Sequence, residues 1–253
     1  MKVTGLGAVV TGGSSGLGGA TAEALAAAGA KVTIFDVNEE AGLAQAKKIG
    51  GKFVKVDVTN EESVIAGLDA AEAAHGTSRI LVNCAGIVMG AKTVGREAKP
   101  FPMDQFRKVI DVNLIGSYNV LSKFAARLST AEPVGEERGV IVNTASVAAF
   151  DGQIGQAAYS ASKAAIAGIM LPVARDLAQF GIRVCAIAPG IFWTPMLAGM
   201  SPELQESLGS QVPFPSRMGK PEEYALLAMS IIDNPMLNGE TIRLDGAIRM
   251  APR

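Results

Sequence analysis

Short runs rich in β-branched residues alternate along the chain with longer alanine-rich stretches, in which apolar residues recur at helical spacing. The short runs predict seven strands, at residues 5–12, 31–36, 52–58, 79–83, 139–145, 182–188 and 240–245. The longer stretches predict helices at residues 17–28, 39–49, 61–75, 103–111, 113–128, 157–180, 202–210 and 221–233. This alternation is typical of right-handed βαβ crossovers. We therefore expect an α/β fold with a seven-stranded parallel sheet flanked by helices on both faces, in a single domain over residues 1–253.

Two departures from a minimal α/β pattern stand out. The connections at 86–102, 129–138 and 189–220 are longer than such units need, and loops at strand ends usually carry function in this class of fold. The helix at 157–180 is apolar or small almost all round, so we expect one side to pack on the sheet and the other on another subunit. Pro172 inside it predicts a local kink.

Composition narrows the class of protein. Of 253 residues, 49 % are hydrophobic and the net charge is −1, which indicates a globular chain and gives no electrostatic argument for a nucleic-acid or membrane partner. No apolar run approaches the ~20 residues of a membrane-spanning helix, and the first apolar run is too short for a signal peptide, so we expect a cytoplasmic protein. Cys84 and Cys185 are expected to be buried, reduced thiols. The single histidine, His75, argues against a His-centred mechanism and against a metal site.

The first predicted strand runs into the glycine-rich turn TGGSSGLG, residues 11–18. Glycines let a backbone approach a pyrophosphate closely, and the following helix offers its N-terminal amides. We therefore expect a Rossmann-type dinucleotide site there, formed by Gly12, Ser15, Gly16, Leu17 and Gly18. The same glycines could instead serve only a tight turn.

Acidic and small residues end the next strands. Asp36 ends the second strand, where a carboxylate can accept hydrogen bonds from both ribose hydroxyls and repel a 2′-phosphate, which favours NAD over NADP. Alternatively, Asp36 caps the helix that begins near Glu39. Asp57 and Val58 end the third strand and could contact the adenine. The fourth strand ends in Asn83, Cys84, Ala85 and Gly86, which are further candidates for cofactor binding, although each could be only a turn residue.

The stretch DGQIGQAAYSASK, residues 151–163, places Tyr159 and Lys163 on one face of a helix. A free tyrosine, with a pKa of ~10, is a weak base at neutral pH, and a nearby ammonium lowers that pKa. Tyr159 could then act as general base in alcohol oxidation and as general acid in the reverse reaction. Ser146, 13 residues upstream, can bind the substrate oxygen. The alternative is an exposed helical pair of little consequence.

Together, these motifs resemble the short-chain dehydrogenase/reductase family, and the resemblance covers essentially the whole chain in order. Residues 143–163, 210–219 and 237–250 are similar to the branch of that family that acts on 3-hydroxyacyl-CoA thioesters. The resemblance implies a homotetramer of fatty acid metabolism that uses NAD. It also implies reversible oxidation of the 3-hydroxyl of short acyl-CoA substrates.

The resemblance also assigns roles to individual residues. It implies that Asn113 holds a water that links Lys163 to solvent, and that Lys163 bonds the nicotinamide ribose. It places the nicotinamide carboxamide against the turn formed by Pro189, Gly190, Ile191, Phe192 and Thr194, and a substrate lid at about 190–220. Three further residues could contact the substrate: Gln153, Gln156 and Trp193. Trp193 could equally be a core residue, and the glutamines could simply cap the helix.

Other functions are compatible with parts of this pattern. A steroid or secondary-alcohol dehydrogenase could use the same frame. A 3-oxoacyl-carrier-protein reductase would need positive residues to read NADP, where this chain has Ser14, Ser15 and Asp36. A non-catalytic NAD-binding scaffold would be expected to lack Ser146, Tyr159 or Lys163, and all three are present.

Overall fold

The structure is a computed structural model that describes residues 1–194 and 201–252. Within these residues the strands form one seven-stranded sheet in the order β3-β2-β1-β4-β5-β6-β7, with every neighbouring pair parallel. The strands are β1 (Gly7–Thr11), β2 (Lys31–Asp36), β3 (Lys52–Lys55), β4 (Ser78–Asn83), β5 (Gly139–Thr144), β6 (Ile182–Pro189) and β7 (Thr241–Leu244). The predicted fold class is confirmed. Predicted strand three extends to 58, whereas β3 ends at Lys55.

The helices follow the predicted positions closely. They are α1 (Gly16–Ala27), α2 (Glu39–Ile49), α3 (Glu61–His75), α4 (Met103–Ile110), α5 (Ser117–Leu128), α6 (Ala157–Ala178), α7 (Pro202–Ser210) and α8 (Pro221–Asp233). The side chains of Asn38 and Asn60 accept backbone N–H bonds at the starts of α2 and α3, as N-cap residues do. Helices α4 and α5 are continuous, because a π-helical turn, Asp111–Gly116, joins them.

Side chains of the central strands alternate between two apolar layers. Val9, Leu81 and Ile141 face a layer that includes residues of α3, α5 and α6. Val10 and Val82 face the opposite layer, which includes residues of α1 and α8. The sheet is therefore covered on both faces, as a doubly wound fold requires.

The order of the strands reverses beside β1. The chain proceeds outward from β1 through β2 to β3, then returns to the other side of β1 as β4. In open α/β sheets, ligands bind outside the carboxyl ends of the strands at such a reversal. The ends of β1 and β4, near Gly12 and Ala85, are therefore the place to look for a site.

Helix α6 differs from one expectation. It continues through Pro172, and the local kink there stays a prediction. By length and composition it could also cross a membrane, so the expectation that no stretch meets that criterion is wrong. Its residues Ile166 and Met170 are buried in the apolar layer against the sheet, which explains the composition, since core helices also pass this test.

Candidate active site

The turn after β1 has no room for side chains at two of its glycines. Gly12 has a φ of +62°, and a Cβ there would lie 2.8 Å from the Ala85 nitrogen. A Cβ on Gly18 would overlap the Gly12 carbonyl oxygen and lie 3.1 Å from the Cβ of Cys84. Glycine is thus required by close backbone packing. The resulting bare turn leads into the N-terminus of α1, where backbone amides are available to a phosphate.

Thr11 fixes this turn to the neighbouring strand. Its hydroxyl accepts hydrogen bonds from the backbone nitrogens of Cys84 (3.2 Å) and Ala85 (3.1 Å), and donates to Oδ1 of Asn83 (3.3 Å). Thr11 is 1 % exposed, so these bonds lie away from water and hold the ends of β1 and β4 in register. Sequence reasoning did not single out Thr11, because its role appears only when the two strands are side by side.

A cleft of about 1110 Å³ opens at this edge of the sheet. Most of the predicted cofactor-binding residues line it: Gly12, Ser15, Gly16, Leu17, Gly18, Asp36, Asp57, Val58, Cys84, Ala85, Gly86 and Thr194. Its opposite wall comes from α4 and the π-helical turn, with Arg107, Lys108 and Val112 among the lining residues. The sequence analysis did not predict that wall, because it looked for ligand-binding residues at the carboxyl ends of strands and not on helices. The bare glycine turn and the size of the cleft fit a dinucleotide.

The Asp36 carboxylate lies in the cleft and organises the turn beside it. Its Oδ2 accepts from the backbone nitrogen (3.2 Å) and the hydroxyl (2.5 Å) of Ser14, and its Oδ1 accepts from the nitrogen of Asn38 (3.0 Å). The residue whose side chain caps α2 is Asn38, which bonds the nitrogen of Ala41 (3.1 Å). Asp36 is therefore not the helix cap, and its carboxylate remains at the cleft surface.

Asp57 and Val58 follow β3 in a turn. Oδ1 of Asp57 accepts from the nitrogen (2.9 Å) and hydroxyl (2.7 Å) of Thr59. Val58 is buried beside Gly116, where a Cβ would lie 2.6 Å from its Cγ2. The glycine thus lets the π-helical turn approach this side of the cleft closely.

Some predicted cofactor residues are not on the cleft lining: Asn83, Tyr159, Lys163, Pro189, Gly190, Ile191 and Phe192. Asn83 is buried and donates to Oδ1 of Asn143 (2.9 Å), which joins β4 to β5. Pro189 ends β6, and the nitrogen of Gly190 bonds the Leu244 carbonyl (2.9 Å). The ring of Phe192 turns away to a separate cavity of about 370 Å³, so any contact with a cofactor would come through its backbone.

The Ser146 hydroxyl lies near the Tyr159 hydroxyl and favours its ionised form. Ser146 Oγ accepts from the nitrogen of Ala148 (3.1 Å), so its own proton is free to point to the phenol oxygen. Burial raises the pKa of Tyr159, and Ser146 acts in the opposite direction. The expected lowering of this pKa is therefore not found in the protein alone, because loss of water around the phenol outweighs the effect of Ser146.

Lys163 is buried one helical turn after Tyr159, with Nζ 5.8 Å from the centre of the tyrosine ring. Nζ donates to the carbonyl oxygen of Thr144 at 2.7 Å. Burial lowers the pKa of Lys163 to about 8. The side chain thus stays mainly protonated at neutral pH and places a positive charge beside the phenol. The alternative of an exposed helical pair is wrong for these two residues.

A polar network beneath Lys163 was not foreseen. The hydroxyl of Thr144 donates to the carbonyl oxygen of Asn83 (2.6 Å) and lies 2.7 Å from the hydroxyl of Tyr224, which is fully buried in α8. Since the Thr144 proton goes to Asn83, Tyr224 donates to Thr144. The Cys84 thiol also lies 3.7 Å from the Tyr224 oxygen. No pattern in the sequence predicts that α8 contacts Thr144.

Asn113 is buried in the π-helical turn, a kind of distortion that often marks functional sites. Its Oδ1 accepts from the nitrogen of Ile87 (2.8 Å), and its Nδ2 donates to the Ile87 carbonyl (2.9 Å) and to Ser162 Oγ (3.1 Å). A Cβ on Gly86 would lie 3.2 Å from Asn113 Oδ1 and 3.6 Å from Lys163 Nζ. Asn113 therefore lies near Lys163, and its role in a proton relay stays a prediction.

The predicted substrate residues have partners of their own. Gln156 accepts from the nitrogen of Gln153 (3.1 Å) and donates to its Oε1 (3.3 Å), while Nε2 of Gln153 donates to the Ala251 carbonyl (3.0 Å). The side chain of Gln156 makes no capping bond at the start of α6. Trp193 is 43 % exposed, so it is not a core residue. Of the predicted lid at 190–220, residues 195–200 lie outside the described residues.

The described residues also bear on other chemistries. Among residues 1–194 and 201–252, no group of three or more His, Cys, Asp and Glu side chains is placed to hold a metal ion. Cys84 and Cys185 are free thiols, and burial raises the pKa of both. Around Tyr159, the described side chains that the sequence analysis assigned to proton transfer are therefore the Ser146 and Tyr159 hydroxyls and the Lys163 ammonium.

Comparison with known proteins agrees with this geometry. A sequence model described as short chain dehydrogenase matches residues 7–205. The chain is 53 % identical to human "3-hydroxyacyl-CoA dehydrogenase type-2", with 99 % of this chain and 98 % of the human protein covered. It is 51 % identical to the Drosophila melanogaster protein of the same name, with 96 % and 97 % covered. The crystal structure of 3-hydroxyacyl-CoA dehydrogenase type-2 from Mycobacterium avium superimposes with a TM-score of 0.95 at 42 % identity and covers 98 % of each chain.

Proposed function

Because the chain belongs to the short-chain dehydrogenase family, we propose that it is an NAD-dependent 3-hydroxyacyl-CoA dehydrogenase of fatty acid metabolism, which interconverts 3-hydroxyacyl-CoA and 3-oxoacyl-CoA. It is an oxidoreductase, and its family implies a nicotinamide cofactor. The observation that carries the proposal is the neighbouring Ser146 and Tyr159 hydroxyls with the buried Lys163 ammonium beside them. The names of the relatives supply the substrate class.

Ser146, Tyr159 and Lys163 have different roles in alcohol oxidation. The Ser146 and Tyr159 hydroxyls hold the substrate oxygen, and Ser146 stabilises negative charge that develops there. Tyr159, as phenolate, accepts the proton of the substrate hydroxyl, and in the reverse direction it returns that proton. Lys163 favours the phenolate by its charge, with its own position fixed by the Thr144 carbonyl. A bound nicotinamide would supply the acceptor for the hydride of the substrate carbon, and its positive charge would add to that of Lys163.

Two features support NAD rather than NADP. Asp36 presents a carboxylate at the end of β2, where it would bond ribose hydroxyls and repel a 2′-phosphate. Ser14, which bonds that carboxylate, is also uncharged. The glycines of the turn provide the close backbone approach that a pyrophosphate needs.

The proposal includes a cytoplasmic homotetramer. The free thiols support a reducing compartment. The outer side of α6 supports assembly, because Leu171 is 49 % exposed among small residues such as Ala164 and Gly168. A patch of this kind on a soluble chain is typical of a protein interface.

The test is an assay of acetoacetyl-CoA reduction, in which the loss of absorbance of the reduced nicotinamide is monitored. NADH and NADPH are compared at equal concentration. We expect turnover with NADH and at least about ten-fold lower kcat/KM with NADPH, a difference of about 1.4 kcal/mol. Tyr159→Phe removes the proton donor and should abolish turnover while it leaves NADH binding intact. The matched control is Tyr118→Phe, at a side chain that is 49 % exposed.

Each outcome discriminates between functions. If the protein binds NADH tightly and turns over a steroid or a secondary alcohol but not acetoacetyl-CoA, the proposed substrate class is wrong and the protein is a dehydrogenase of the other class. Binding without turnover of any of these would indicate a non-catalytic scaffold. A preference for NADPH would contradict the role of Asp36 and favour a reductase of acyl-carrier-protein substrates.

A further inference from the structure

The chain between the two catalytic hydroxyls forms a short connection, residues 150–156, which we call the linking segment. It leaves the turn that follows Ser146 and ends where α6 begins, three residues before Tyr159. Because it lies between Ser146 and Tyr159, which would hold the substrate oxygen, we expect it to border the space for the substrate. On one side it contacts the loop after β4, where the nitrogen of Ala91 bonds the Gly155 carbonyl (2.9 Å).

On its other side, the linking segment is tied to the end of β7 by Arg243. The guanidinium makes two hydrogen bonds to the Asp151 carboxylate, at 3.3 and 2.6 Å. It also bonds Oδ2 of Asp245 (2.8 Å) and the Ile248 carbonyl (3.0 Å). The Arg243 side chain is 22 % exposed and that of Asp151 16 %, so water screens this pair less than an ordinary surface ion pair. The same guanidinium lies 5.5 Å from the centre of the Phe150 ring.

The chain after β7, residues 248–252, which we call the C-terminal tail, adds two more hydrogen bonds. The Met250 backbone also favours the ionised Asp151 carboxylate, which helps Arg243 to lower the pKa of that carboxyl. The carbonyl of Ala251 accepts from Nε2 of Gln153 (3.0 Å), and the carbonyl of Pro252 accepts from the nitrogen of Ile154 (3.0 Å). The tail forms no helix or strand, so no secondary structure of its own fixes its position. The bonds to the linking segment therefore hold the two segments together.

The contacts continue toward the catalytic helix. Gln153, held by the tail, bonds Gln156 in both directions, and Gln156 is the last residue before α6. The carbonyl of Gln156 accepts from the nitrogen of Ser160 (2.7 Å), in the first turn of that helix. A shift of the tail would thus be passed to the wall beside Tyr159 through bonded groups, without a change in Ser146, Tyr159 or Lys163.

We propose that Arg243 and the C-terminal tail position the linking segment, and that this clamp sets the affinity of the enzyme for the acyl portion of its substrate. Arg243 is a positioning residue, since it acts through Asp151 and touches neither the reacting hydroxyls nor the cofactor cleft. The inference rests on the proposed function for the identity of the substrate. The contacts themselves do not depend on it.

The experiment compares Arg243→Gln and Asp151→Asn with Arg127→Gln. Arg127 is the matched control, because its side chain is also ion-paired and 26 % exposed, with Asp69 (2.7 Å) and Glu72 (3.1 Å) as partners, and it lies on α5 outside the clamp. For acetoacetyl-CoA at saturating NADH, we expect the first two variants to raise KM at least about ten-fold with kcat reduced less than about three-fold. KM for NADH should not change, and Arg127→Gln should behave as wild type. Arg243→Lys, which keeps the charge, should restore part of the affinity.

A split between KM and kcat distinguishes positioning from general destabilisation. Unchanged KM for acetoacetyl-CoA in Arg243→Gln, or an equal rise in KM for NADH, would overturn the proposal. Amide hydrogen exchange supplies a readout that needs no substrate: residues 150–156 should exchange faster in Arg243→Gln than in Arg127→Gln. If the wild type does not reduce acetoacetyl-CoA, the proposed function fails, and the exchange result alone decides whether the clamp exists. Equal exchange in the two variants would refute it.

Discussion

The Lys163 ammonium illustrates how a functional side chain can oppose stability. It is buried, it donates a hydrogen bond to the Thr144 carbonyl, and its pKa falls to about 8 from an ordinary value of 10.5. Each pKa unit corresponds to about 1.4 kcal/mol, so keeping the protonated side chain in the folded protein costs on the order of 3 kcal/mol at neutral pH. This cost to stability has a catalytic benefit, because burial also strengthens the electrostatic effect of the Lys163 charge on Tyr159.

We therefore expect Lys163→Met to be inactive but more stable than wild type at pH 7, by about 1–2 kcal/mol after the lost hydrogen bond to Thr144 is subtracted. The pKa is lower in the folded than in the unfolded chain, so the cost is full below about pH 8 and fades as pH rises toward the ordinary lysine value. The advantage of the variant should fade over the same range. Urea unfolding at pH 7 and pH 10 measures it, with Lys31→Met, at an exposed position, as control. A variant less stable than wild type at pH 7 would contradict the argument.

The buried hydroxyl of Tyr224 supports Lys163 indirectly. Tyr224→Phe removes the donor to Thr144 and leaves the threonine oxygen and the Cys84 thiol each with one partner fewer. We expect a loss of about 1–2 kcal/mol in the free energy of unfolding, the usual cost when a buried polar group loses its partner. Tyr118→Phe, at an exposed tyrosine, should change stability by less than about 0.5 kcal/mol. Equal effects in the two variants would show that the network contributes nothing.

At the scale of elements, sequence periodicity was a good guide where one face of an element is buried. Helices α2, α3, α7 and α8 begin and end at the predicted residues. The site was predictable as far as it lies at strand ends, as with Gly12 and Asp36. Contacts between elements distant in sequence were not predictable, because no local pattern encodes that Tyr224 meets Thr144 or that Arg243 meets Asp151. The burial that raises the pKa of Tyr159 is likewise a property of packing.

The glycine turn between β1 and α1 offers a test with adjacent residues. A Cβ on Gly18 would overlap the Gly12 carbonyl oxygen, whereas the nearest atoms to a Cβ on Gly19 would lie at 3.6 and 3.7 Å, ordinary contact distances. We expect Gly18→Ala to displace the turn and to weaken NADH binding at least about ten-fold. Gly19→Ala should keep NADH affinity within about two-fold and stabilise α1 by about 0.5–1 kcal/mol. NADH fluorescence titration and thermal unfolding measure both. Equal affinities would mean that the close approach at Gly18 does not shape the cofactor site.

At the scale of the whole molecule, helix α6 serves both catalysis and packing. Its inner side carries the buried Lys163 and the core residues Ile166 and Met170. Its outer side exposes small and apolar positions, which raise its apolar character to that of a membrane helix. A partner subunit against this outer side would explain the composition without a membrane, and would also hold the helix that carries Tyr159.

This view predicts that a charge on the outer side of α6 breaks the assembly. Leu171 is 49 % exposed, and Leu171→Arg would bury an unpaired charge in the contact. We expect analytical ultracentrifugation to show a tetramer for wild type and a smaller species, such as a dimer, for the variant, because a tetramer with two-fold axes retains its other contact. Leu43→Arg, on α2 at a site 55 % exposed, should leave the tetramer intact. If Leu171→Arg sediments as wild type, α6 does not form the contact. In that case the apolar outer side of α6 has another cause.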